Sequence, residues 1–230
     1  MKHVALTIGL SLLVASPALG LTYLGTPTTN MKAGQVAGGA SYADSRQDVE
    51  LEGGIDIEDV DEESTLGRLA IGIFDERMEI FGLFGAAELG KDDIETDEDF
   101  FFGFGTRITT NLGDDLDWGI VGQFTWFNNE DDADINGVLT PYDLNVIDVQ
   151  VAFGPCWRPG PFIAYGGPMF QWITGDVESP ILGKRDVNAE SLFGGYVGGG
   201  IELAEHLSVT GEVQATPDAH AWAVSVQWRF

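Results

Sequence analysis

Near the middle of the chain, the stretch DADINGVLTPYD (Asp132 to Asp143) carries oxygen-bearing side chains at a spacing that could hold a metal ion. It reads D-x-D-x-N-G, with Thr140 at the ninth position and an acid at the twelfth. Calcium takes about 6–8 oxygen ligands, and alternate side chains converge on one ion where a glycine permits a sharp turn. Asp132, Asp134 and Asn136 would supply side-chain oxygens, Val138 a backbone carbonyl and Asp143 the closing carboxylate. Ca2+ is therefore the expected ion, and no cofactor is required. The other acidic runs have no such spacing. DVELEGGIDIEDVDEES (Asp48 to Ser64) carries nine acids and no base, and KDDIETDED (Lys91 to Asp99) six acids and one base.

Acid–base chemistry has few candidates. Of three histidines, His3 lies in the leader, His206 stands beside Glu205 and Ser208, and His220 follows Asp218 by two residues. A general acid or base needs a positioned partner as well as a titratable ring. No second group is identifiable here, so surface histidines are expected and an enzyme is not. Seven charged residues at inward positions of expected strands (Arg68, Glu79, Arg107, Asp148, Glu202, Glu212 and Arg229) predict a paired network, because buried charges persist only when compensated.

The elements that would position these groups are strands. From about residue 33, segments of Gly, aromatic and β-branched residues with period-2 character alternate with turns or acidic loops, and no capped amphipathic helix appears. Strands are expected near 33–48, 65–74, 77–89, 99–110, 117–128, 144–154, 161–174, 190–203, 206–215 and 220–230. Short and long connections alternate along most of the chain. This is the pattern of a transmembrane up-and-down barrel, with short turns at one rim and longer loops at the other. The last strand, AWAVSVQWRF, sets Trp222, Val224, Val226, Trp228 and Phe230 on one face. An apolar row flanked by aromatics matches a membrane band between interfacial girdles. The fold class is thus all-β: one antiparallel transmembrane barrel of ten strands, with eight the runner-up. The 31 glycines are expected to make room for larger lumen neighbours.

The N-terminus and the charge bound the setting. MKHVALTIGLSLLVASPALG has a basic start, a twelve-residue apolar run (Val4 to Ala15) and small residues at Ala18 and Gly20. That is a signal peptide over residues 1–20, cleaved near Gly20, with the barrel over 21–230. A spanning helix would need about 20 apolar residues. With 37 acidic against 11 basic residues the net charge is −26, which excludes a nucleic-acid-binding surface. The single cysteine, Cys156, allows no internal disulfide.

With its leader, alternating Gly/aromatic strands and closing VSVQWRF, the chain resembles the small Gram-negative outer-membrane β-barrel proteins. The resemblance implies location in the cell outer membrane. It also implies contact with its lipid and lipopolysaccharide, and an assembly signal at Trp228 and Phe230 read by the barrel-assembly machinery. Asp132–Asp143 resembles EF-hand and dockerin calcium loops, although its twelfth residue is Asp and Pro141 and a strand follow where a helix usually exits. Glu205–Ser208 resembles the His-x-Ser of lipid A deacylases but falls in a periplasmic turn. Asp218/His220 resembles the Asp-x-His pair of the ten-stranded omptin proteases, but the partner acidic dyad is not identifiable among so many acids, and the chain is short for that family. The expectation is a monomeric, non-enzymatic barrel whose acidic extracellular loops meet cations or external partners. The alternatives are a small channel for ions or hydrophobic solutes, then an omptin-like or lipid-modifying hydrolase.

Overall fold

The structure, a computed structural model, describes residues 21–51, 55–91, 94–95, 99–135, 138–180 and 183–230. Among these it forms β1 (Val36–Leu51), β2 (Ile55–Phe74), β3 (Met78–Lys91), β4 (Ile94–Glu95), β5 (Asp99–Asn111) and β6 (Leu116–Ile135). There follow β7 (Val138–Trp157), β8 (Phe162–Ser179), β9 (Gly183–Ala204), β10 (Leu207–Ala215) and β11 (Ala219–Arg229). β4 is a two-residue addition to the end of β3. The other ten strands form a closed antiparallel barrel in up-and-down order. Closure comes from β11 pairing with β1, from Ala37↔Arg229 to Gln47↔Ala219, so the barrel wall leaves no free edge. Ten strands is the count the sequence predicts.

Period-2 alternation decides which side chain faces where. Along β11, Ala219, Ala221 and Ala223 are buried, whereas Trp222, Val224 and Val226 face outward at 44–46% exposure. The same inversion runs round the molecule. Arg68, Glu79, Arg107, Gln123, Asp148, Gln150 and Glu212 are buried, while Phe100, Phe102, Phe104, Ile120 and Phe170 are exposed. Apolar outside and polar inside is the arrangement of a barrel solvated by lipid. Outward aromatics form two belts. Trp118, Trp157, Phe162, Trp228 and Phe230 lie toward the short-turn rim, and Tyr42, Phe102, Trp126, Trp172 and Trp222 toward the other. Trp118 and Trp126 are eight residues apart on β6. That is roughly 26 Å of strand, or about 20 Å of height after a ~40° tilt, comparable to a ~25 Å apolar band. At the far belt, polar atoms find partners: Trp126 Nε1 donates to Asn145 Oδ1 at 2.8 Å and Tyr42 Oη to Glu63 Oε2 at 2.8 Å.

Short turns at 75–77, 112–115, 158–161 and 205–206 share one rim with Val36 and Phe230, whose N–H donates to the Val36 carbonyl at 2.8 Å. At the opposite end the strands run farther than the sequence predicts. Much of the expected loops near 49–64, 129–142 and 175–188 is paired strand, and the β6–β7 ladder reaches Ile135↔Val138. Acidic residues are poor strand formers on average. Beyond the apolar band, however, water meets the hairpin and a charged side chain costs little, so the ladder continues. The β1–β2 hairpin then reaches across to β9, pairing Glu50↔Asn188 and Leu51↔Val187 above the short β10–β11 turn. Asp48 N–H donates to the Asp218 carbonyl at 2.8 Å.

Inward glycines make the room that was expected. A Cβ at Gly105 would lie 2.3 Å from the Phe81 ring, and one at Gly198 2.2 Å from the Tyr165 ring.

Candidate functional site: a lumen filled by the N-terminal segment

Residues 21–35 do not continue the wall; the stretch 21–31 threads the lumen. Leu21–Met31, LTYLGTPTTNM, has no charged residue, and Leu21, Leu24 and Met31 are each 0–1% exposed. The segment enters at the short-turn rim, where Glu76 N–H donates to the Met31 carbonyl at 2.9 Å and Ala33 N–H to Asp75 Oδ1 at 2.9 Å. It has no sheet partner among the described residues, so its backbone polar groups need side chains from the wall. An unmet buried group costs about 1–3 kcal/mol.

The wall supplies those side chains. Glu212 accepts from Leu24 N–H at 3.1 Å and Gly25 N–H at 3.0 Å, one carboxylate oxygen each. Arg107 Nη2 donates to the Leu24 carbonyl at 2.7 Å, and Gln214 Nε2 to the Thr22 carbonyl at 2.8 Å. Gln123 Nε2 donates to Thr22 Oγ1 at 2.8 Å, Arg158 Nη2 to Thr28 Oγ1 at 2.7 Å, and Thr29 N–H to Thr109 Oγ1 at 2.8 Å. Tyr23 and Thr210 share a hydroxyl hydrogen bond of 2.6 Å. Gly25 turns the segment at φ 77°, and a Cβ there would meet Arg107 Nη2 at 2.7 Å. Two wall glycines let the segment pass close: a Cβ at Gly72 would lie 2.2 Å from the Lys32 carbonyl oxygen, and one at Gly119 2.3 Å from that of Pro27.

Around this segment lies the ionic network predicted from the inward charges. Glu79 Oε1 accepts from Arg68 and from Arg107 Nη1, the latter at 2.8 Å. The Arg68 guanidinium also sits 3.6 Å over the Phe81 ring. Arg229 pairs with Glu202 at 3.1 Å and Arg158 with Asp117 at 2.6 Å. Glu212 and Asp148, both expected in ion pairs, instead accept from the segment's amides and from Gln150 Nε2 respectively. A cavity of about 40 Å³ remains, lined by Tyr23, Arg68, Arg107, Glu202, Thr210 and Arg229 among others. At roughly 10–15 Å³ per water it has room for a few waters.

The other sequence-predicted residues fall outside the lumen. Asp132, Asp134 and Asp143 lie on the extended β6–β7 hairpin, where Asp132 stands opposite Pro141, Asp134 opposite Leu139 and Asp143 opposite Glu130. Val138 begins β7, and Asn136 lies outside the described residues, as do the side chains of Asp132, Asp134 and Val138. The expected calcium loop thus has a hairpin backbone. On the neighbouring β8–β9 hairpin, Lys184 pairs with Asp176 at 3.1 Å. That hydrogen bond and the carboxylate charge raise the ammonium pKa above its ordinary value. His206 occupies a short turn, its carbonyl accepting from Arg229 N–H at 2.8 Å. His220 is exposed and stands opposite Arg46 on β1, while Asp218 lies in the adjacent turn. Trp228 and Phe230 face outward at the short-turn rim, at 46% and 74% exposure. The plug itself was missed, although an uncharged, Thr-rich stretch between leader and first strand in so acidic a chain was a visible signal.

No family model matches the chain, and no curated protein matches it by sequence. Solved structures do. The translocator domain of the autotransporter NalP from Neisseria meningitidis superposes with a TM-score of 0.55 at 12% identity, over 85% of this chain and 88% of that one. The fold is that of an outer-membrane β-barrel. More distant in shape are the attachment invasion locus protein Ail of Yersinia pestis (TM-score 0.41, 14% identity, 86% and 99% covered) and the protease OmpT of Escherichia coli (0.46, 10%, 85% and 97%). At such identities the likeness is one of architecture. What this barrel does has to come from its own lumen and hairpins.

Proposed function

We propose that this chain is a non-enzymatic barrel of the outer membrane, closed by its own N-terminal segment, that anchors and displays acidic extracellular hairpins. One observation carries the reading: Leu21–Met31 occupies the lumen on wall hydrogen bonds, beside a cavity of only about 40 Å³. A lumen so filled supports an anchoring role over conduction. The leader delivers the chain, with cleavage near Gly20. The exposed terminal Phe230 suits recognition by the barrel-assembly machinery. Outer-membrane lipid covers the apolar wall of a monomer. The acidic hairpins act on divalent cations, including those bridging lipopolysaccharide, or on external partners; at a net charge of −26 nucleic acid is not among them. Calcium at Asp132, Asp134, Asn136, Val138 and Asp143 belongs to this proposal.

Planar-bilayer recording tests it. Folded protein should leave the bilayer electrically silent, and a variant lacking residues 21–31 should conduct. Discrete, reproducible openings from the intact protein would establish the channel alternative instead. The hydrolase alternative requires His220, and a protease or lipase activity abolished by His220→Ala would establish it. The outward position of His220 in the β1–β11 ladder favours the non-enzymatic reading.

A further inference from the structure

Higher in the lumen stands a carboxylate with one oxygen unmet. Asp148 on β7 is 3% exposed. Its Oδ2 accepts from Gln150 Nε2 at 2.7 Å, whereas Oδ1 has no hydrogen-bond partner among the described residues. A buried carboxylate oxygen of this kind is costly unless a donor or cation meets it. A chain of hydrogen bonds leads from Asp148 to the plug. Gln150 Oε1 accepts from Gln123 Nε2 at 3.3 Å, and Gln123 Nε2 also donates to Thr22 Oγ1 at 2.8 Å. The plug rises from Met31 at the short-turn rim to Thr22 at this level, and Leu21, 1% exposed, is the next residue. Asp148 lies two residues beyond Gln150 toward the outer end of β7. Opposite Gln150 on β8 is Gln171, 1% exposed, whose side-chain amide lies beside the Asp148 carboxylate without making a hydrogen bond of good geometry.

The next step rests on the proposed removal of the leader after Gly20. Cleavage there makes Leu21 the first residue and converts its backbone nitrogen to an α-ammonium, largely charged at neutral pH given an ordinary pKa of about 7.7–8.0. We propose that Asp148, flanked by Gln171, binds this α-ammonium, making the upper lumen a receptor for the chain's own processed N-terminus. An ammonium offers three donors and a compensating charge. The peptide N–H of an uncleaved chain offers one donor and no charge. Processing by the leader peptidase therefore completes the lumen, and the plug locks in place once the leader has gone.

Intact-mass measurement of the purified barrel comes first. A chain that starts elsewhere than Leu21 overturns both the cleavage reading and this one. With Leu21 first, the α-amine is acetylated with an N-hydroxysuccinimide ester at neutral pH, and peptide mass spectrometry separates it from Lys32, Lys91 and Lys184. Labelling of the folded protein should be roughly tenfold or more slower than in urea, as expected for a group that reacts only on local opening. Asp148→Asn should return most of that rate. Equal rates folded and unfolded, with Leu21 first, overturn the docking alone, as does protection unchanged in Asp148→Asn. Should that variant fail to fold, inserting two glycines before Leu21 carries the amine about 7 Å past an intact Asp148. Labelling must then recover, and protection that survives the insertion overturns the proposal.

Discussion

Glu79 is the residue whose loss the lumen should tolerate least. It is 1% exposed, and its Oε1 accepts from Arg68 and Arg107, themselves 8% and 3% exposed. Glu79→Gln keeps the shape and removes the charge. Neither arginine is free to swing to water, because one lies 3.6 Å over the Phe81 ring and the other holds the Leu24 carbonyl at 2.7 Å. Two nearby lumen carboxylates are committed elsewhere, Glu202 to Arg229 and Glu212 to the plug amides. At an effective dielectric of ~20, one charge pair at 4 Å is worth about 4 kcal/mol. Two such pairs are lost here, and a glutamine oxygen retains about 1 kcal/mol of hydrogen bonding. Breaking one partner of a buried pair costs about 3–5 kcal/mol. The expectation for Glu79→Gln is the upper part of that range, since one carboxylate serves two guanidiniums. Urea unfolding in phospholipid vesicles, followed by tryptophan fluorescence, measures it. Adding Arg68→Met should recover part of the loss. As a control, Asp61→Asn breaks a half-exposed pair with Arg46, at 45% and 46% side-chain exposure, and should shift stability by under ~1 kcal/mol. A loss below about 1 kcal/mol for Glu79→Gln would refute the view that this triad holds the lumen together.

Other consequences are simpler to state. Gly119→Val places carbon 2.3 Å or less from the Pro27 carbonyl oxygen, so it should displace the plug. The expected cost is about 1–3 kcal/mol, with transient bilayer currents. The outward Gly122→Ala, whose Cβ would meet nothing nearer than Val151 Cγ2 at 3.9 Å, should leave unfolding midpoint and silence unchanged. Calorimetric titration of the folded barrel with calcium should give a saturable isotherm that Asp132→Ala or Asp143→Ala abolishes; identical curves from wild type and both variants count against that site. Deleting Phe230 removes one hydrogen bond, from its N–H to the Val36 carbonyl, and an exposed ring. It should therefore cut the amount of barrel assembled in cells several-fold while moving the in vitro unfolding midpoint little. A matching fall in both would make Phe230 a stability residue and remove the case for an assembly signal.

The membrane-spanning wall was legible because its rule is local. A strand reveals its two faces every second residue, and in β11 the row Trp222, Val224, Val226 and Trp228 against Ala219, Ala221 and Ala223 already separates lipid from lumen. The Arg68–Glu79–Arg107 cluster was legible for the same reason, since inward parity places those charges where only pairing can keep them. The hairpin extensions were not. An acidic run such as that after Asp48 reads as loop by composition, yet Val49, Glu50 and Leu51 pair with Ile57, Asp56 and Ile55 inside the same run, a pairing that acid-rich composition does not signal.

The sequence by itself determined the class of fold, the direction of each spanning face, the rim carrying the short turns and the acidic character of the other end. These follow from period-2 alternation, connection length and charge, all readable within a few residues. Only the tertiary structure decided that the lumen is occupied, and by what. Leu21–Met31 has no period and only short local hydrogen bonds of its own, at Thr26 and Met31; its wall contacts lie 80 residues away at Thr109, 83 at Arg107, 188 at Glu212 and 192 at Gln214. Those groups converge only once ten staves have closed into a ring. An uncharged segment can then exchange water for the hydrogen bonds of a polar interior.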